Sequence, residues 1–369
     1  MQNKELIFFP VFVVDNKFAI IDNGGMRKLF LLLVAGCWSL VTVGARADTG
    51  TFDFDRWDMM LADIGARAAA AGVRPETVSA VVKNAAFIPG IVNKDRNQPE
   101  KTTSQSSYVT TRVNPTRIAA GREMAVNYRT LFSRAATRYG VPAHVLLAFW
   151  GMESDYGKTK STHKLADAFI TLIYEGRRET FFMNQLIALM QSADADNMPV
   201  GEFRGSWAGA MGHFQFIPTT LQQYGVDGDG DGRIDIINDL PDAVYSAANF
   251  LAKLGWNGTQ KIVRPVALPS DFELALLDGK TRRPLADWAA LGVIGVPNAN
   301  MRAGLIADII VETATECTEI PAECTTYETT RIGRAFLTYE NFYRIKRWNN
   351  STSYALAVAL LADEIKNAN

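Results

Sequence analysis

Soft metal ligands are scarce in this sequence, whose 369 residues include three Cys and three His. That is too few for a zinc ribbon or an iron–sulfur cluster, so any metal would be held by oxygen. An excess of one charge is also absent. Lys and Arg number 38 against 39 Asp and Glu, a net charge of −1, which excludes a broad polyanion-binding face and with it nucleic acid as an expected partner. No apolar run reaches the roughly 20 residues of a membrane span, and no repeat of solenoid length is found. What remains is 48% hydrophobic and 21% charged, the composition of an ordinary globular protein with room for two or three domains of ~100–200 residues.

Near the start, Arg27 and Lys28 precede an apolar run from Leu29 to Val43, and Ala45-Arg46-Ala47 follows it. This is the layout of a secretory signal over 26–47, with cleavage after Ala47 and a soluble periplasmic product as the expectation. Residues 1–25 do not resemble a charged leader, so Met26 is the expected start and the upstream stretch a mis-assigned extension. Val34-Ala35-Gly36-Cys37 also has the form of a lipobox, and the alternative is a lipoprotein anchored through Cys37. Cys317 and Cys324 are then the remaining cysteines, in the loop-like stretch ECTEIPAECTT. An oxidising compartment pairs them; a reducing one leaves two thiols.

Along the rest of the chain, apolar residues at three- and four-residue spacing predict a helical hairpin over Phe52 to Ala86, split at Gly72 and Pro75. Asn93 to Tyr108 is polar and reads as an exposed excursion. One long helix is expected from Pro115 to Tyr139, stopped by Gly140, with Pro142 opening the next at Ala143. Short β-like pieces, Lys261 to Leu268, Phe272 to Leu277 and Phe336 to Tyr339, predict a small sheet. Helical periodicity returns over Tyr354 to Ile365. The expected divisions are 48–120, a helical part; 121–255, a core; 256–340, a β-containing insertion; and 341–369, a segment returning to the core.

Two stretches carry candidate chemistry. VPAHVLLAFWGMESDY is an almost wholly apolar helix whose first carboxylate is Glu153. Partial desolvation there would favour the protonated form that a general acid needs, although the polar end of a buried helix has the same pattern. Asp155, two residues on, points elsewhere on a helix and is a poor second carboxylate. GSWAGAMGHFQFIP sets small residues between Trp207 and Phe214, with Gln215 adding a donor and an acceptor. A sugar cleft or a tight helix–turn packing motif would each use this composition.

GMESDYG, RRETFF, GSWAGAMGHFQFIP, VDGDGDGRIDI, PDAVYSAANFL and NFYRIKRWNNSTSYALAVALLAD follow one another in the order found in MltB-type lytic murein transglycosylases, glycoside hydrolase family 103. The chain resembles that family over about 52–365. The resemblance implies a mainly α protein: a lysozyme-like helical core with an accessory helical domain and a small β-containing domain. It also implies a monomer that cuts the β-1,4 MurNAc–GlcNAc bond of peptidoglycan to a 1,6-anhydro end, needs no organic cofactor, and meets cell wall synthesis or division proteins. Glu153 would be the single acid and base. Ser206 and Gln215 would lie near the reacting sugar, Arg177 and Arg178 would meet peptide carboxylates, and Asn349 and Tyr354 would line the groove, with Tyr108 placed there by its distance before Glu153. Trp348 stands where the family commonly has Tyr; it could stack on a sugar but lacks the phenol hydroxyl.

Asp227, Asp229 and Asp231 follow positions 1, 3 and 5 of an EF-hand loop, with Arg233 offering its carbonyl at 7, Asp235 at 9 and Asn238 at 12. Asn in place of the bidentate Glu predicts weak Ca²⁺ binding, and an Asp/Gly-rich turn capping a helix would look the same.

Overall fold

In the computed structural model, the described residues are 12–14, 17–19, 52–97, 104–317 and 324–367, with side chains of 12–14, 17–19 and 312–329 left aside. The expected signal segment, the start at Met26 and the lipobox at Cys37 lie outside them. The chain divides into 1–52 and 53–369. In the first unit, β1 (Phe12–Val14) pairs antiparallel with β2 (Lys17–Ala19). All that follows concerns the second.

Its N-terminal helices are α1 (Phe54–Ala70), α2 (Pro75–Lys83), α3 (Pro89–Arg96) and α4 (Gln105–Arg112). Within the polar stretch expected as an excursion, 93–96 and 105–108 are helical, since Pro89 at N1 opens α3 and the Ser104 hydroxyl caps α4 by accepting from Ser107 N, while 98–103 lie outside the described residues. The long helix expected over 115–139 is two, α5 (Pro115–Asn127) and α6 (Arg129–Tyr139), broken at Tyr128. There φ −113° and ψ 23° interrupt the helix, and the ring sets its edge against Trp150 at 5.6 Å.

Next come α7 (Ala143–Ser154), the short antiparallel pair β3 (His163–Lys164) and β4 (Arg204–Gly205), and between them α8 (Leu165–Glu175) and α9 (Glu179–Ala195). Then α10 (Pro218–Tyr224) and α11 (Leu240–Lys253) follow. A helix apolar on all sides has to sit in the core. Helix α7 does, with Val145 through Met152 all buried.

From residue 263 the chain builds an antiparallel sheet in the order β5-β8-β7-β6 from β5 (Val263–Val266), β6 (Arg283–Pro284), β7 (Arg302–Cys317) and β8 (Cys324–Thr338), with α12 (Leu285–Ala290) beside it. Phe272, Leu285, Trp288 and Leu305 form a hydrophobic cluster of its own there. Two expectations change here. Leu274–Leu276 is a 3-10 turn rather than a strand, and the stretch around the two cysteines, expected as loop, is strand up to Cys317 and again from Cys324. A bulge between Ala307 and Ile309 turns Asp308 inward, where it accepts from Gln105 Nε2 at 3.1 Å and Arg334 Nε at 3.0 Å. That contact fastens α4 to the sheet.

The chain returns to the main core through α13 (Glu340–Trp348) and α14 (Thr352–Lys366). Helix α14 runs antiparallel to α7: Tyr354 meets Glu153 at one end, and Lys366 lies close enough to His144 at the other to depress its imidazole. Burial is the larger cause of that depression, to about 4.

Candidate active site

Glu153 is the penultimate residue of α7, half-buried at the end of the apolar helix. The chain turns away at once, because Asp155, Tyr156 and Gly157 all take positive φ, 51°, 57° and 81°. Such a run in non-glycine residues costs energy and persists only when its surroundings fix it. Here they do. Tyr156 donates its hydroxyl to the Arg117 carbonyl at 3.0 Å, and its ring lies where a Cβ on Gly151 would sit 2.6 Å away, so residue 151 must be glycine. Asp155 pairs with Arg117 Nε at 3.3 Å and so is engaged away from the helix end.

Two side chains from the far end of the sequence meet the Glu153 carboxyl. Trp348 donates Nε1–H to Oε1 at 3.0 Å, and Tyr354 donates its hydroxyl to the same oxygen at 2.5 Å. The Ser351 hydroxyl, accepting from Tyr354 N at 3.2 Å, caps α14 and sets where the phenol starts. Tyr354 is 3% exposed. Burial, followed by the neighbouring Glu153, pushes its hydroxyl well above the usual phenol range, so it remains a donor at every working pH. Tyr108 on α4 is close enough to add to that shift, and Arg112 covers its ring at 5.6 Å.

Around Trp348 stand Phe149 at 4.8 Å, Phe250 at 4.9 Å and Phe216 at 5.4 Å between ring centroids. The indole is thus aimed at the acid by an aromatic box; the sequence suggested a sugar platform without the phenol hydroxyl. Asn349 is exposed at the α13–α14 junction.

Phe216 ties in the loop that follows β4. Ser206 N donates to Ala210 O at 2.7 Å and the Ser206 hydroxyl accepts from Ala210 N at 3.0 Å, closing a tight turn. Gly209 makes it possible: at φ 94°, a Cβ would lie 2.0 Å from the Phe169 ring. Gln215 also has positive φ, 51°, and donates Nε2–H to Gly212 O at 3.0 Å. His213 holds this loop to α7, its Nδ1 accepting from Trp150 Nε1 at 3.0 Å and its carbonyl accepting from the Ser154 hydroxyl at 2.7 Å. Burial lowers the His213 imidazole, which suits an accepting Nδ1. A cavity of about 370 Å³ opens beside these residues, lined by Ser154, Lys160, Arg204, His213 and Gln215 among others.

Arg177 and Arg178 both engage Asp95, which is 2% exposed. Arg178 Nη2 reaches Oδ1 at 2.8 Å, while Arg177 reaches Oδ2 through Nε at 3.0 Å and through Nη2. A buried carboxylate requires such partners. The two arginine side chains nevertheless remain 46% and 40% exposed.

In the Asp/Gly loop, Asp227, Asp229 and Asp242 bring carboxylate oxygens within 4.8 Å of one another. Asp242, on the first turn of α11, is the member sequence reading missed. It is 2% exposed and accepts from Gly228 N and Asp235 N, each at 2.6 Å. Asn238 instead donates its amide to Asp235 at 2.9 Å, and Asp231 accepts from Arg233 N at 2.8 Å. An all-oxygen, triply anionic set fits a hard divalent cation. The signal was an acid just after Pro241, in the helix that ends the loop rather than at loop position 12.

Comparison with known proteins identifies the family and the fold. Membrane-bound lytic murein transglycosylase B of Escherichia coli K12 is 29% identical over 261 residues, 69% of this chain and 65% of that protein, so the chain spans just under two thirds of that relative. The crystal structure of SltB3 from Pseudomonas aeruginosa with NAG-anhNAM-pentapeptide matches at TM-score 0.73 and 35% identity, over 86% of this chain and 80% of that one. Slt35 of Escherichia coli, in a structure with calcium, matches in fold at TM-score 0.68 and 24% identity, over 85% and 93%. Residues 56–363 match the Transglycosylase SLT domain, and the chain belongs to that family.

Proposed function

We propose that the protein is a peptidoglycan lytic transglycosylase that cleaves the β-1,4 bond between N-acetylmuramic acid and N-acetylglucosamine without hydrolysis, with Glu153 as the one acid and base. The observation that carries this reading is the Glu153 carboxyl held at the end of a buried helix by an indole and a phenol. Retaining glycosidases add a second carboxylate ~5–5.5 Å away, and inverting ones add a base further off. Asp155, the next acid in the chain, is paired with Arg117. SltB3 binds a NAG-anhNAM-pentapeptide, a ligand of the anhydro type that this reaction releases.

In the reaction, Glu153 protonates the glycosidic oxygen as its bond to C1 breaks. The muramoyl 2-acetamido group stabilises the cationic carbon. The C6 hydroxyl then bonds C1 and returns its proton to Glu153, so no water is consumed. Ser206, Gln215, Tyr108 and Asn349 contact the glycan, and the exposed edges of Arg177 and Arg178 offer cations to stem-peptide carboxylates while Asp95 holds their other side.

Residues 121–255 with 341–369 make the catalytic core and 256–340 an insertion on it. Asp227, Asp229 and Asp242 hold a structural Ca²⁺, and Cys317 pairs with Cys324. The chain acts in the periplasm, either freed at Ala47 or tethered through Cys37; among the described residues no helix is long and apolar enough to cross a membrane.

Glu153→Gln keeps the shape and removes the titrating proton. Incubated with purified sacculi, it should release anhydromuropeptides at least a thousandfold more slowly than wild type, about the loss expected for a general acid–base group, with an unchanged melting temperature. Release at the native rate would overturn the assignment, as would wild-type products heavier by one water, the mark of a hydrolase.

A further inference from the structure

The end of α7 opposite Glu153 carries a cavity of a different kind. His144 stands in the first turn of that helix, and Glu153 lies about 14 Å further along it at 1.5 Å rise per residue. Beside His144 opens a cavity of about 400 Å³, an ordinary size for a small-ligand site. Its charge is one-sided: Arg122, Arg129 and Lys366 border it, and among the described residues no Asp or Glu does. Its inner wall is apolar, built from the buried Phe132, Leu147 and Ile365.

Cations gathered without an acid between them repel one another, a cost that an anion removes. Arg122 is held at the rim by Glu364, whose carbonyl accepts from Nε at 3.1 Å and Nη2 at 2.9 Å and whose carboxylate lies 3.3 Å from Nη2. Arg129 and Lys366 make no ion pair among the described residues. The apolar wall narrows the choice of anion. A bare inorganic anion gains nothing from that wall, whereas a carboxylate carrying a small apolar group covers it and meets the cations at once. The free end of an alanine-terminated peptide has both features.

We propose that this cavity is a second substrate site, which takes the C-terminal carboxylate of a peptidoglycan stem peptide. The inference rests on the transglycosylase reading above and deepens it, since the chain then grips the polymer at one point and cuts it at another. Two contacts on one polymer act together, so even a weak site adds retention. A membrane phospholipid shares the anion but keeps its apolar chains in the bilayer, which matches a concave site with an apolar inner wall less well.

The probe is acetyl-D-Ala-D-Ala, and its C-terminal amide is the control without the charge. His144 is the reporter, one of three histidines in the chain. Burial, then Lys366, holds its imidazole down to about 4, so at neutral pH its ring resonances follow what approaches and not its own titration. The dipeptide should shift them with a Kd on the order of 1 mM, the affinity expected of so small a ligand, and the amide should act at least about tenfold more weakly. Arg129→Gln combined with Lys366→Gln changes two exposed side chains and should abolish the response with an unchanged melting temperature. Added to Glu153→Gln, which leaves sacculi uncut, the pair should weaken sacculus binding about tenfold. In otherwise wild-type enzyme it should leave kcat on a soluble glycan native. Equal responses to dipeptide and amide would show that no carboxylate is read, and undiminished sacculus binding would remove the second grip; either sinks the proposal. A response to phosphatidylglycerol vesicles but not to the dipeptide would make the cavity a membrane contact and sink it too. Failure of the wild type to yield anhydro products would overturn the functional reading instead.

Discussion

Three carboxylates in this molecule differ in task because different groups donate to them. Glu153 receives an indole and a phenol, Asp95 two guanidinium groups, and Asp242 two backbone amides. Asp242 combines near-complete burial with two acidic neighbours, and burial raises its carboxyl above the ordinary value despite those amides. A divalent cation would relieve the repulsion among the three acids. Wild-type protein freed of metal should therefore melt about 2 °C higher in millimolar Ca²⁺, since a ligand at ten times its dissociation constant adds about 1.4 kcal/mol. Asp242→Ala should show no such rise, whatever its own stability; scanning calorimetry with and without Ca²⁺ decides it, and an undiminished rise in the variant would exclude Asp242 as a ligand. Much of this scale was legible in sequence. Glu153 stood out as the first acid after an apolar run, and the loop aspartates by their spacing. The partners were not: Trp348 and Tyr354 lie 195 and 201 residues away from Glu153, and Asp95 lies more than 80 before its two arginines. Single-sequence patterns carry no such distances.

Helices were read well wherever one face or the whole surface is buried, as in α7 and α14, because burial imposes the periodicity that is visible in sequence. Where a local packing event overrides periodicity the reading failed, as at Tyr128, whose contact with Trp150 accompanies the break between α5 and α6. The β7–β8 ribbon was hidden for another reason. Residues 312–316 and 325–330 are mostly Thr and Glu, so no alternation of apolar and polar side chains marks them as strand. Beyond the part flanked by β5 and β6 only two strands are paired, and a two-stranded ribbon is marginal without support. The backbone register sets Cys317 directly opposite Cys324, a placement in which antiparallel Cα separations of about 4.5–5.5 Å suit a disulfide. Peptide mapping of exported protein under non-reducing conditions should yield one linked peptide containing both residues, and reduction should remove about 2–3 kcal/mol, the chain-entropy value for so short a loop. Recovery of both cysteines as free thiols would refute the bridge.

At the scale of the molecule, the N-terminal helices are fastened to the core by acids more than by caps. Asp194 on α9 accepts from the Arg74 backbone amide at 2.7 Å and from the Thr77 hydroxyl at 2.5 Å, tying down α2. Asp95 on α3 is latched by Arg177 and Arg178, from the link between α8 and α9. For Asp95, burial by itself would raise the carboxyl, but hydrogen bonding from Arg177 and the charge of Arg178 outweigh it and hold the group below the ordinary carboxylate range. A carboxyl lowered by folding contributes stability that is fully present above the unfolded value and disappears as pH falls through the lower, folded one. Carboxyls raised by folding, such as that of the half-buried Asp167, act with the opposite sign, so the total curve mixes the two. Comparing wild type with Asp95→Asn cancels the rest, because sites without shared partners contribute additively. At neutral pH the variant should be less stable by about 2 kcal/mol, under the ~3–5 kcal/mol for breaking a fully buried pair because both guanidinium groups reach water. Denaturant melts taken from about pH 6 down to about pH 2 should then show that gap narrowing only below about pH 4, as the wild-type carboxylate itself takes up a proton. A gap that stays constant over the whole range would mean that shape and hydrogen bonding, rather than charge, join α3 to the core.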